Sequence, residues 1–156
     1  MATSEFPRGN ADERELLLSW LGYLRAAVIR KASGVDDDLA RWTPGGRLIC
    51  LLGIVTHLTA VEWRWIDGGI CGRPVSRSED EFSPANPTPI AEALQRYRAQ
   101  ANRTDAVVRD RPLSTPCVLE PGTDLRWVLL HLVNETARHA GHADAVRELL
   151  DGSTGE

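Results

Sequence analysis

The chain has 156 residues, 42% of them apolar and 26% charged, with a formal net charge of −4. That length supplies one domain able to bury about two-thirds of its unfolded surface, so folding requires neither disulfides nor a structural metal. The acidic balance, with arginines scattered and Lys31 the sole lysine, excludes nucleic acid as a main partner, and three cysteines without a C-x-x-C pair argue for idle thiols in a reducing cytoplasm.

Residues 1–10 hold Glu5, Pro7 and Gly9 but no apolar run, so they read as a flexible tail and not as a signal peptide. A first helix is predicted from about Ala11 to Ala32, where Leu16, Leu17, Trp20, Leu21, Leu24 and Val28 recur at three- and four-residue steps. Asn10 or Asp12 can cap it, and Ser33-Gly34 stops it. A second helix, apolar nearly all round and so the most buried, is predicted from about Leu48 to Asp67. It lies between Pro44-Gly45-Gly46 and Gly68-Gly69. No run reaches the roughly 18 uncharged apolar residues of a membrane span. Leu48–Val61 comes closest, and no membrane partner is expected.

About twenty residues rich in Gly, Pro and Ser follow, from Gly68 to Pro87. Loops of this length are uncommon unless functional, and in a bundle they permit a crossover. Thr88-Pro89, a cap residue with Pro at the first helical position, opens a third helix to about Asp110. A proline-rich connection over 111–122, with room for a small hairpin around Cys117–Leu119, leads to a fourth helix from Thr123 or Asp124 to Asp151-Gly152. With no alternating strand pattern of any length, the chain reads as a single all-α domain over 1–156.

Val128, Leu132, Glu135, His139, His142, Val146 and Leu149 step by four and three along the last helix and share one face. The stripe is apolar at its ends and Glu-His-His at its centre. Ionisable groups placed in a bundle interior cost several kcal/mol each unless paired or bound to a metal. Glu135 and His139 lie one turn apart and can converge, and His57, midway along the most apolar helix, is the only histidine outside helix 4. Two histidines and a carboxylate form a ligand set of catalytic zinc sites. A buried His is more often a hydrogen-bonded core residue, and His139 with His142 and His57 is a competing set. Spacing alone does not choose between them.

The string Glu135-Thr136-Ala137-Arg138-His139-Ala140-Gly141-His142-Ala143-Asp144, the run from Leu125 before it and Arg147-Glu148-Leu149 after it resemble the C-terminal signature of the DinB-like mycothiol S-transferase family. Asp12-Glu13-Arg14 and His57-Leu58 followed by Glu62 and Trp65 extend that resemblance over almost the whole chain. The resemblance implies a DinB-like four-helix bundle with a long crossover between helices 2 and 3, often a homodimer. It also implies a divalent metal on His57, Glu135 and His139, which leaves His142 beside the metal. Pro44-Gly45-Gly46-Arg47 and Asn134 depart from the family pattern, and the first reshapes the pocket rim.

The activity implied is a thiol S-transfer, in which zinc holds mycothiol as a thiolate that attacks a small electrophile. Nickel and other divalent ions compete for such a set. Alternatives are a hydrolase using metal-bound water and a non-enzymatic bundle that binds a metal or ligand. Further candidates are His142 and Glu62 for proton transfer or ligand orientation, and Arg138, Asp144 and Arg147 for a polar substrate. Inter-helix ion pairs are the plainer reading of the last four.

Overall fold

The computed structural model describes residues 5–9, 12–83 and 88–154, so Asn10 and Ala11, where the first helix was predicted to begin, lie outside it. Helix α1 (Glu13–Ala32) starts at Asp12, whose carboxylate accepts the Glu15 N–H. A short helix α2 (Asp37–Ala40), not predicted, follows on the Asp36 cap. Helix α3 (Leu51–Glu62) begins three residues later than its apolar run suggests. Leu48 adopts a left-handed φ of 65°, which breaks the helix, and the Cys50 side chain caps α3 by accepting the Gly53 N–H through Sγ.

α3 then widens into a π-helical segment, Trp63–Ile70. The predicted stop at Gly68-Gly69 therefore lies within the helix. Those glycines answer to packing: a Cβ on Gly69 would meet Cys117 Sγ at 2.8 Å, and one on Gly68 would meet Val75 at 2.5 Å. Helix α4 (Ile90–Asp110) has Pro89 at the cap itself and not at the first helical position. Proline offers no side-chain acceptor, so Asp37 of α2 accepts the Ile90 N–H instead, at 2.8 Å. Helix α5 (Leu125–Asp151) runs from the Asp124 cap to Gly152 in the left-handed conformation. Before it, an isolated bridge between Pro116 and Asp124 forms the small hairpin-like turn.

Two apolar clusters fill the bundle. One gathers Val28, Ile54, Leu94 and Val146, the other Leu18, Ile66, Val108 and Leu129. Along α1 and α5 the chain passes from the second cluster to the first, and along α3 and α4 it passes the other way. α3 and α4 are therefore parallel neighbours, which no tight turn can join, and residues 71–89 make the crossover. α1 packs chiefly on α5, and α3 on α4.

Between the clusters lies a polar layer. Buried Arg25 donates from Nε and Nη2 to both oxygens of Glu62, at 2.7 and 2.6 Å, and from Nη1 to Asp105 at 2.8 Å. Thr136 of α5 occupies the same level, and so do His57 and His139. Among the described residues no single helix is long and apolar enough to cross a membrane.

Candidate metal centre

His57 faces α5 from the middle of α3, where a regular helix places it between Ile54 and Val61 on the buried side. Glu135 Oε1 lies 3.0 Å from His57 Nε2 and 3.3 Å from His139 Nε2. One potential ligand atom from each of the three sits within 4.8 Å of the others. Both imidazoles are buried, and Glu135 is partly open to solvent.

The other side of His57 meets a second carboxylate: Nδ1 lies 2.7 Å from Glu81 Oε1. A neutral imidazole has one N–H and can satisfy only one of two carboxylates. With Nδ1–H donated to Glu81, a neutral ring would present an Nε2 lone pair to Glu135 at 3.0 Å, an acceptor facing an acceptor, whereas a second ring proton would satisfy both carboxylates. A divalent cation among the two Nε2 atoms and Oε1 resolves that conflict, so these residues fit a metal.

Burial, with the nearby His57, lowers the His139 pKa, which keeps its ring neutral and a lone pair available. Burial pushes Glu135 upward, but the His57 hydrogen bond and the fields of His139, His57 and His131 outweigh it, so the group is lowered and ionised.

Glu81 was not singled out from the sequence. It stands on a 3₁₀ turn, Glu79–Glu81, within the crossover, and Arg64 grips it with Nη1 to Oε2 at 2.6 Å and Nη2 to Oε1 at 2.8 Å. Burial raises its pKa, yet the hydrogen bonds from Arg64 and His57 bring it below the ordinary carboxylate value. Phe82 stacks on the His57 ring at 4.1 Å, and Thr56 donates to the Glu81 carbonyl at 2.8 Å.

The remaining candidates are dispersed. The His142 ring lies 5.3 Å from that of His139, outside the three-residue cluster, and its buried Nδ1 finds no hydrogen-bond partner among the described residues. Both Glu62 oxygens are held by Arg25. Asp144 pairs with Lys31 at 3.1 Å, and Arg147 donates to the Lys31 and Ser33 carbonyls and to Asp151. Arg138 is exposed. Leu149, assigned to the buried stripe, is 60% exposed because the last turn of α5 outruns the core.

A cleft of about 420 Å³ opens onto His57 and Glu135, walled by Arg64, Trp65, Arg77, Leu119 and His131. Trp65, Trp127 and His131 form an aromatic group, with Trp127 stacked on His131 at 5.5 Å and 4°. Burial lowers the His131 pKa. The Pro44–Gly46 turn is not part of this wall. A hollow of about 660 Å³ by Phe6 and Ser19 is larger but has no cluster of ligating groups among the described residues.

Among known families, the sequence model described as Mycothiol-S-transferase matches residues 16–152. No curated protein matches the chain.

Proposed function

This chain belongs to the mycothiol S-transferase family, and from that premise we propose that it joins a low-molecular-weight thiol, mycothiol, to an electrophilic small molecule. His57, Glu135 and His139 would hold a divalent cation, with zinc the best match to two imidazoles and one carboxylate. A bound cation of this kind supplies Lewis acidity, which keeps a thiol ionised at neutral pH.

The observation that carries the reading is the pair of carboxylates on opposite sides of His57, which leaves Nε2 facing Glu135 and the cleft. The chain's own residues then divide the work. Glu81 and Arg64 fix the His57 ring, and Phe82 covers its face against water. Neutral His139 offers its lone pair from the buried side. Trp65 and Leu119 line the approach of the electrophile, whose carbon bonds to the sulfur as a π bond opens or a leaving group departs with the bonding pair, while the thiol proton passes to solvent. Glu62, committed to Arg25, acts as a buried counter-ion on this reading. His142 sits close enough to His139 to influence its orientation.

Two measurements test it. Elemental analysis of untagged protein should find about one divalent ion per chain, lost in His57→Ala. Product should form from a thiol-reactive electrophile only when mycothiol is supplied. Turnover with water alone would sink the transferase reading and favour hydrolysis.

A further inference from the structure

One tryptophan is left over from the packing of the bundle. Trp42 and Trp65 pack against the two apolar clusters, Trp20 meets Tyr23, and Trp127 stacks on His131. Trp63 belongs to neither cluster, and its indole meets no other ring among the described residues. It lies half-buried in a groove of about 310 Å³ between α3 and α4, with Thr56, Thr59 and Ala60 on the same side and Arg96 and Gln100 opposite. Among the described residues, none that lines this groove also lines the metal cleft. The volume stands at the small end of the roughly 300–1,000 Å³ range of ligand sites and admits a molecule of two or three rings.

The polar groups of the groove set the chemistry of its ligand. Thr56 donates to the Glu81 carbonyl and Thr59 to the Val55 carbonyl, each at 2.8 Å, so toward a ligand both hydroxyls act as acceptors. Gln100 gives an amide N–H to Asp67 at 3.3 Å, and its carbonyl oxygen is a further acceptor. Arg96, the cation of the groove among the described residues, is matched to Glu92 one turn away. An ionic ligand therefore meets no unmatched charge here. A neutral ring meets an indole face, the Ala60 methyl and acceptors for an N–H or O–H.

The groove reaches the metal centre through a single residue of the crossover. Glu81 gives its main-chain carbonyl to Thr56, which lines the groove, and its carboxylate lies 2.7 Å from Nδ1 of His57, which lines the metal cleft. We propose that the α3–α4 groove is a second ligand site, for a neutral planar aromatic molecule with one hydrogen-bond donor, and that its occupant regulates the metal centre. Packed against Thr56, such a ligand steadies the Glu81 turn and with it the His57 ring. The site stands on the groove itself, and its effect on zinc rests on the metal reading above.

The test is fluorescence titration of the zinc-loaded full chain with N-phenyl-1-naphthylamine, a neutral aromatic amine that brightens in apolar surroundings. It should fill one saturable site with a Kd below about 20 μM. Trp63→Ala should weaken it about tenfold or more. Ala60→Leu, which fills the groove from a half-buried helix position, should do the same with helical dichroism unchanged. Its sulfonated counterpart, 8-anilinonaphthalene-1-sulfonate, should show Trp63-dependent binding at least about fivefold weaker. Saturating amine should tighten zinc about threefold in chelator competition, zinc should tighten the amine by the same factor, and Thr56→Val should remove both effects. Binding that ignores both groove variants, no saturable binding, or a Trp63-dependent preference for the sulfonate would overturn the site. Unchanged zinc affinity at saturating amine would overturn the regulation. Trp63-dependent binding to a chain that takes up no zinc would sustain the site and overturn the metal reading alone.

Discussion

His57 illustrates how a single ring can be prepared for a metal by what lies behind it. Its Nδ1 is tied to Glu81, and Arg64 in turn holds both oxygens of that carboxylate. Orienting partners of this type typically contribute 10- to 100-fold in metal affinity. Glu81→Gln should accordingly weaken zinc binding by about tenfold or more in a competition titration with a chromophoric chelator, with helix content unchanged. An unchanged affinity would show that the ring is held by packing against Phe82 alone. The candidate group was legible in part: the α5 stripe that turns polar at its centre marked Glu135, His139 and His142, and His57 was the one histidine elsewhere, but the family resemblance and not spacing chose among them. Glu81 was not legible, because Ser78-Glu79-Asp80-Glu81 reads as an ordinary solvated acidic run. Only the path of the crossover brings one member of that run onto a histidine 24 positions away.

At the scale of elements, the four long helices were visible in their three- and four-residue periodicity, and their ends less so. Leu48 in a left-handed conformation, a π-helical extension through Gly68-Gly69, and a cap for α4 supplied by Asp37 all depend on packing between elements. Gly53 shows the same dependence. A Cβ there would stand 2.1 Å from the Phe82 carbonyl oxygen, so the glycine in α3 lets the crossover lie directly on the helix. Gly53→Ala must push that segment away, carrying Phe82 and Glu81 with it. The expected result is a loss of about 1–3 kcal/mol in urea unfolding, as for overpacked cores, together with weaker zinc binding. A variant that lost stability but kept full zinc affinity would separate the crossover from the site.

Across the whole molecule, the polar layer divides two apolar cores and contains both the Arg25–Glu62–Asp105 triad and the ligand cluster. Removing one member of a buried ion group leaves the others uncompensated, and Arg25→Met should cost about 3–5 kcal/mol by denaturant unfolding. The combined replacement of Arg25, Glu62 and Asp105 by Met, Leu and Leu should come close to wild type or exceed it. If the single and triple variants were equally damaged, the layer would owe its stability to shape and not to charge pairing. A metal held at the candidate centre would contribute separately. At a free concentration of about 1,000 times its Kd, an ion that binds only the folded state adds roughly 4 kcal/mol. Chelation should therefore lower the thermal midpoint while the far-ultraviolet dichroism of the helices persists at 25 °C, since two continuous apolar cores remain. Collapse of the helical signal on chelation would show that the cores are too small to stand without the ion.

The pairing of α1 with α5 has a consequence in time. Among the described helices, α1 is made before its main partner α5, and α5 also carries two of the three candidate ligands. A nascent chain that has emerged only as far as α4 holds His57 alone, with the apolar side of α1 uncovered. Metal capture at this candidate centre would therefore have to wait until α5 has been made.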